Sequence, residues 1–317
     1  MGRLRLTQLR ARALGLFAAT VLTGCDRESA ARKGPNDGLA PAVREEADEL
    51  YALKKNAEPS RSAPIAGRRP CPSEMVLVAG RVCVDRYEAR LAISGTSELL
   101  SPHYPPTPLA ARLHAEWSER ASHSRGILGH LAVPELPVFQ LTLSKAQAES
   151  RAHVLPSGYL TRNSAEQACH NAGKRLCNEE EWVTACRGEQ NFDYPYGDNF
   201  LDLACNVHRK THPAGLIHGD SSKNHLDPRL GLAADEDGPL LRPTGTSPEC
   251  RSEWGDDAIY DMVGNLDEWV APPGSQFLGG FFSRGTRSGC AAKIASHSPD
   301  YLDYSLGVRC CTERSTH

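Results

Sequence analysis

Asp261, Asp267 and Glu268 crowd into one short stretch, Tyr260 to Val270, reading YDMVGNLDEWV, beside the amide of Asn265 and the indole of Trp269. Gly264 permits backbone angles that residues with a Cβ resist. Asp261 and Glu268 can therefore bring oxygens to one point, together with backbone carbonyls of the turn between them. Oxygen-only ligation of this kind suits a hard cation, calcium first. The plainer reading is a tight acidic turn with Trp269 buried behind it. His208 and His212, four apart, would suit a transition metal on a helix. Pro213 follows directly and the flanks are polar, so these two, like His218 and His225 in the same 207–243 loop, read as solvated histidines. The run Asp235-Glu236-Asp237 reads as a solvated acidic loop.

The cysteines point to an oxidising compartment. Of the 11 in the chain, Cys25 stands apart near the start. Before it come Arg3, Arg5, Arg10 and Arg12 and then an apolar run from Ala13 to Leu22, the layout of an export signal. The apolar run is too short to span a bilayer. It ends in Leu22-Thr23-Gly24-Cys25, which resembles the lipobox of bacterial lipoproteins. That resemblance implies cleavage before Cys25, lipid on its sulfur, and attachment to a membrane surface without crossing it, at the bacterial cell envelope facing the periplasm or exterior. The alternative is a plain secretory peptide with a chance cysteine. The remaining cysteines are even in number and show no C-x-x-C or zinc-finger spacing, so they read as disulfides. A formal net charge of −3 excludes no fold but argues against nucleic acid as a partner.

Elements able to position these groups begin near Cys71. Residues 25–70 have tether composition, with Gly-Pro and Ser-Pro clusters and one short amphipathic segment from Ala42 to Lys55. Met75–Val78 and Val82–Asp85 read as two strands around Ala79-Gly80-Arg81, flanked by Cys71 and Cys83, for which a bridge is expected. Arg86-Tyr87-Glu88 follows where a strand delivers side chains to a rim. From 92 to about 160 the pattern is weak, apart from a helix expected between Leu109 and Ser122 that carries Trp117, and it reads as an irregular insertion. A helix is expected over Ser164–Ala172, capped by Asn163 or Ser164 and stopped by Gly173. Asn178 caps the next, Glu179–Arg187, with Glu181 completing a capping box and Trp182, Ala185 and Cys186 on one face. The stretches at Phe277 and at Leu306–Cys311 read as strands, and 207–243 as a second irregular loop.

In this order, AGKRLCNEEEWVTACRG (172–188), YPYGD (194–198), ACN (204–206), YDMVGNLDEWV, LGGFF (278–282) and GVRC (307–310) resemble the sulfatase-modifying-factor family, whose best-known member is the formylglycine-generating enzyme. The likeness covers about 71–317. It implies an irregular α+β fold related to C-type lectins, disulfide-rich, with a small twisted antiparallel sheet. It implies bridges Cys169–Cys310 and Cys186–Cys290, beside which Cys205–Cys250, Cys71–Cys83 and Cys177–Cys311 complete the set. It also implies structural calcium, with one ion at Asp261, Gly264, Leu266 and Glu268, the glycine and Leu266 acting through carbonyls. A second ion falls at Asn206 and Val207, completed by an acid such as Asp237.

Activity is where the likeness breaks. The formylglycine-generating enzyme holds copper on two cysteines shortly after the Gly-Gly of its last segment. Here Gly279-Gly280 is followed by no cysteine before Cys290, which corresponds to a structural half-cystine. Copper is therefore not expected, and neither is formylglycine formation by that route. The expected ligand pocket is lined by Arg284, Arg287, His297 and Tyr304, with Trp254 near it. The arginines would grip carboxylates and the rings would stack. Two functions remain open: a lipid-anchored module binding a peptide, protein or envelope ligand, or a metal-dependent oxidoreductase or tailoring enzyme using His297 in the same cleft as base or ligand.

Overall fold

Met75–Val78 and Val82–Asp85 pair antiparallel around the turn at Ala79-Gly80, where both residues take positive φ. In the computed structural model, which describes residues 70–96, 98–142, 145–273 and 276–315, this hairpin is the edge of a four-stranded antiparallel sheet. Cys310–Glu313 pairs with Val82–Asp85 on one side and with Arg175–Leu176 on the other. The export signal, Cys25 and the tether lie outside the described residues. Among the described residues, no helix is long and apolar enough to cross a membrane.

A second four-stranded sheet runs in the order Lys293–Ile294, Phe277–Leu278, Asp267–Trp269, Leu306–Val308. Its last pair is parallel, Glu268 opposite Gly307, so the sheet is mixed. The single strand expected at Leu306–Cys311 is thus two strands in two sheets, with Arg309 at the change of sheet. Two-stranded ladders complete the fold, Ala89–Ile93 with Ala146–Ser150 and Arg251–Trp254 with Asp257–Tyr260 among them. The whole is α+β, with short strands and few helices.

Helices form where local chemistry demands them. Glu179–Arg187 starts at Asn178, whose side chain accepts from the Glu181 N–H while the Glu181 carboxylate accepts from the Asn178 N–H. Three glutamates sit in the first turn, at the positive end of the helix dipole. Gly188, at φ +68°, ends it. Arg162–Asn171 starts earlier than expected: the cap is Thr161, and Ser164 is the box partner three residues in. Ser-Thr reciprocity can replace the usual Glu there because both hydroxyls donate and accept.

The insertion at 92–160 is more ordered than its composition suggests. The helix Leu109–Arg120 buries Ala110, Leu113 and Trp117 against Tyr104 and Leu136, and Ala146–Ser150 is a strand. The 207–243 loop likewise holds a helix, Pro213–His218, and a small hairpin of Ala234–Asp235 with Gly238–Pro239.

Bridges join Cys71–Cys83, Cys169–Cys310, Cys177–Cys311, Cys186–Cys290 and Cys205–Cys250, the pairs the sequence and its family likeness imply. Cys310 and Cys311 point to opposite sides of their strand, so adjacent residues staple two different neighbours. Each long-range bridge contributes about 2–4 kcal/mol. They reinforce cores built around Trp182 and Trp269, in a chain whose aromatic content is only 6%.

Candidate functional site

The acidic stretch folds into a buried junction. Asp261, Gly264 and Asn265 all take positive φ, which turns the chain sharply between the strands Asp257–Tyr260 and Asp267–Trp269. Gly264 is required: a Cβ there would lie 2.3 Å from the Asn206 carbonyl oxygen. That carbonyl accepts from the Asn265 N–H at 2.8 Å. Asn265 in turn donates through Nδ2 to Glu88 at 2.6 Å, and Glu88 also accepts from the Leu266 N–H at 2.9 Å. Glu88, which the sequence places at a rim, is fully buried.

Glu268 lies beside this turn and is already satisfied. Arg309, fully buried, donates to both its oxygens at 2.9–3.2 Å, and Trp182 Nε1 donates at 2.6 Å. Arg309 also donates to the carbonyls of Asp85 and Tyr260. Burial raises the Glu88 carboxyl well above the usual range, and the charges of Asp261 and Glu268 add to the rise. Burial likewise pushes Asp261 up to about 6, opposed by the Gly245 N–H from which it accepts and by Arg309. One arginine thus faces three buried carboxylates.

Calcium fits part of this arrangement. Asn206 Oδ1 is buried without a hydrogen-bond partner, while its Nδ2 donates to Leu240 O and Asn265 Oδ1. An orphaned amide oxygen beside a surplus of carboxylates is a hard-cation donor set. Asp261, the carbonyls of Gly264 and Leu266, and Asn206 with Val207 would supply the oxygens. Glu268 is the member whose oxygens are already engaged, by Arg309. Asp237 is exposed on its hairpin, giving its N–H to Asp235. Among the described residues, no three His, Cys, Asp or Glu side chains are grouped to hold a metal, so such a site would depend on amide and carbonyl oxygens.

A separate cavity of about 260 Å³ opens between the last segment and the 207–243 loop. It brings together Arg284, His297 and Tyr304, and adds His212, His225, Phe281, Tyr301 and Asp303. Arg287 and Trp254 are elsewhere. Arg287 lies over the Phe200 ring, and Trp254 donates to Ala185 O beside another cavity. Spacing in a loop does not define a face, and so Arg287, three residues from Arg284, points away.

Inside the cavity, Arg284 is paired with Asp267 and lies over the Phe281 ring. Burial pushes Asp267 up to about 7 in spite of the guanidinium. The expected grip of two free arginines on a carboxylate is therefore replaced by one internally paired arginine. His297 stacks between Tyr301, at 3.9 Å between ring centroids, and Phe277, at 5.7 Å.

His212 and Tyr304 set a proton's direction. His212 caps the helix Pro213–His218 by accepting from the Ala214 N–H through Nδ1 at 3.2 Å. Its pKa is lowered, by burial first and by neighbouring His225 second, so the ring is neutral at pH 7 with its proton on Nε2. That Nε2–H faces the Tyr304 oxygen at 2.9 Å and donates to it. Tyr304 is 3% exposed and stays protonated, its pKa raised well above the usual range by burial and Asp303. Its own hydroxyl hydrogen must then point away from His212, toward the cavity. His208, by contrast, contacts the Thr286 carbonyl and Phe200, so the two histidines do not converge on a metal.

Fold, bridges and the two sites define an α+β, disulfide-stapled domain whose acidic turn is locked to its terminal strands. Residues 136–313 match the model of the sulfatase-modifying factor enzyme 1-like domain, and the chain belongs to that family. It is 28% identical over 178 residues to the inactive C-alpha-formylglycine-generating enzyme 2 of Bos taurus, covering 50% of each chain. To its counterpart from Mus musculus it is 30% identical over 176 residues, covering 50% of this chain and 49% of the relative. The chain thus spans about half the length of the curated relatives it matches. Among solved structures it is similar to CarF, at 12% identity and TM-score 0.35 over 74% of this chain and 87% of that one. PvdO from Pseudomonas aeruginosa is similar at 13% identity and TM-score 0.35, over 74% and 80% respectively.

Proposed function

We propose that this chain is an extracytoplasmic, lipid-anchored member of the family that binds a peptide, protein or envelope ligand in the His212–Arg284–Tyr304 cavity and does not generate formylglycine. The observation that carries the reading is the state of the cysteines. Cys290, the first after Gly279-Gly280, is tied to Cys186, and every cysteine among the described residues is in a bridge. A bridged sulfur offers no thiolate for copper. The segment after Gly279-Gly280 carries instead Arg284, paired with Asp267. The matched relatives being named inactive is consistent with this. Calcium, at Asp261 and the neighbouring carbonyls and at Asn206, would act structurally by balancing buried carboxylates.

The alternative is a metal-dependent oxidoreductase or tailoring enzyme in the same cleft. It draws on His297, but that ring lies flat between two aromatic faces. Metal analysis by mass spectrometry, on protein extracted from the envelope, separates the two. One or two calcium ions per chain, with no aldehyde formed on cysteine-bearing peptides, supports the binding domain. Stoichiometric copper or iron with turnover of a peptide would replace it. For the anchor, Cys25→Ser should move the protein from the membrane to the soluble fraction; unchanged membrane association rejects lipid on Cys25.

A further inference from the structure

One buried carboxylate of the cavity has no ion-pair partner among the described residues. Asp303 is 7% exposed, and its oxygens are held by neutral donors alone: Tyr301 Oη at 2.7 Å, the Ser305 N–H at 2.9 Å and Ser305 Oγ at 2.7 Å. Among the described residues it forms no ion pair. The arginine that lines the cavity pairs through one nitrogen with Asp267 and lies over the Phe281 ring, and its Nε is buried without a hydrogen-bond partner. Nor does a neighbouring histidine form an ion pair with Asp303 among the described residues. His212 is neutral for the reasons given above, and His225 donates through Nε2 to the Ser221 carbonyl at 3.0 Å, away from Asp303.

Around this carboxylate most of the lining side chains are aromatic rings. Tyr304 meets Phe281, His212 and His225 nearly edge-on, with centroids 5.8–6.0 Å apart, and Tyr301 stacks on His297. A ring face is the negative pole of its quadrupole, so rings beside an unpaired carboxylate produce a negative, weakly hydrating cavity. Tyr304 adds one polar feature, its free and deeply buried O–H, which suits a hydroxyl or carbonyl oxygen near the cation.

We propose that this cavity selects an organic ammonium cation, with the charge against Asp303 and beside the Tyr301 and Tyr304 rings and an oxygen atom on the Tyr304 hydroxyl. The proposal rests on the cavity being the ligand site, and it reverses the sign of ligand expected from the arginines in the sequence. A carboxylate ligand would meet Asp303 and find Arg284 already engaged.

The test is a calorimetric or NMR titration of the oxidised full chain with choline, with its uncharged isostere 3,3-dimethylbutan-1-ol, and with benzoate. Choline binding at least tenfold tighter than the isostere supports the proposal, as does a tenfold or greater loss in Asp303→Asn. Equal binding of choline and isostere overturns the charge selection and leaves the cavity as a binding site. Preference for benzoate does the same. No response of the cavity residues to any of the three at millimolar concentration overturns both the proposal and the placement of the ligand site. The comparison of choline with its isostere uses the unmodified protein, so it decides the matter even if Asp303→Asn folds poorly.

Discussion

Two regions of this molecule gather carboxylates around a single arginine, and they do so to different ends. At the acidic turn, Arg309 is fully buried and donates to Glu268, Asp85 O and Tyr260 O. In the cavity, Arg284 is partly exposed, pairs with one carboxylate, Asp267, and leaves Asp303 to neutral donors beside open space. The first arrangement fixes one geometry of the chain, because every donor of its arginine has an acceptor within the protein, while its surplus of buried carboxylates is left for a structural cation to balance. The second leaves an electrostatic demand for something from outside. A structural junction and a binding site thus differ less in residue type than in whether the arginine's donors are all engaged within the protein.

Breaking the closed region should have the larger effect. Arg309→Met removes the partner of Glu268 while leaving three carboxylates inside, and should cost about 3–5 kcal/mol, or prevent folding, as read by guanidinium denaturation. Replacing Cys169 and Cys310 together by alanine should cost about 2–4 kcal/mol, since that loop is closed by a bridge 141 residues apart.

A pH titration sharpens the contrast. Asp85 and Asp261 are raised to about 6 and Glu88 is raised well above its ordinary value, burial being the first cause in each. A carboxyl with a raised folded pKa binds its proton more tightly folded than unfolded. Its stabilisation is full below about pH 4 and is lost as pH rises through about 6 and beyond. Stability without added calcium should therefore fall between about pH 4 and pH 7. Glu88→Gln should flatten that fall, and calcium should restore stability at neutral pH. A stability that rises across this interval would contradict the uncompensated junction.

In the open region effects should be smaller and include binding. Tyr304→Phe removes the oriented donor and should weaken a cavity ligand about tenfold, and because it also leaves the His212 Nε2–H without its acceptor it should cost about 1–3 kcal/mol of stability. The smallest effect is expected for Arg287→Ala, outside the cavity, which should shift stability by less than about 0.5 kcal/mol and leave ligand affinity alone.

What is legible in the sequence is local or carried by family likeness. The helix Glu179–Arg187 can be read because Asn178 and Glu181 satisfy each other three residues apart. The hairpin at Ala79-Gly80 is legible for the same reason. The cysteine pairs follow from the likeness. Glu88 escapes such reading because its partners, Asn265 and Leu266, lie 177 and 178 residues away. The polar loop around His212 and His225 suggests solvated rings, yet the helix Pro213–His218 turns His212 inward as its cap. Arg287 and Trp254 show the converse error, since chemistry of the right type says nothing about direction where no regular element fixes it.

The change of sheet at Arg309 has a consequence for the order of assembly. Leu306–Val308 completes one sheet and Cys310–Glu313 joins both neighbours of the other, while Cys310 and Cys311 close bridges back to Cys169 and Cys177. During synthesis the edges of Val82–Asp85, Arg175–Leu176 and Asp267–Trp269 stay open and the thiols of Cys169 and Cys177 stay unpaired until these residues arrive. Such long-range closure makes folding slow. Both sheets and the Cys169 and Cys177 bridges are therefore completed together, by one short segment, as the last step of assembly.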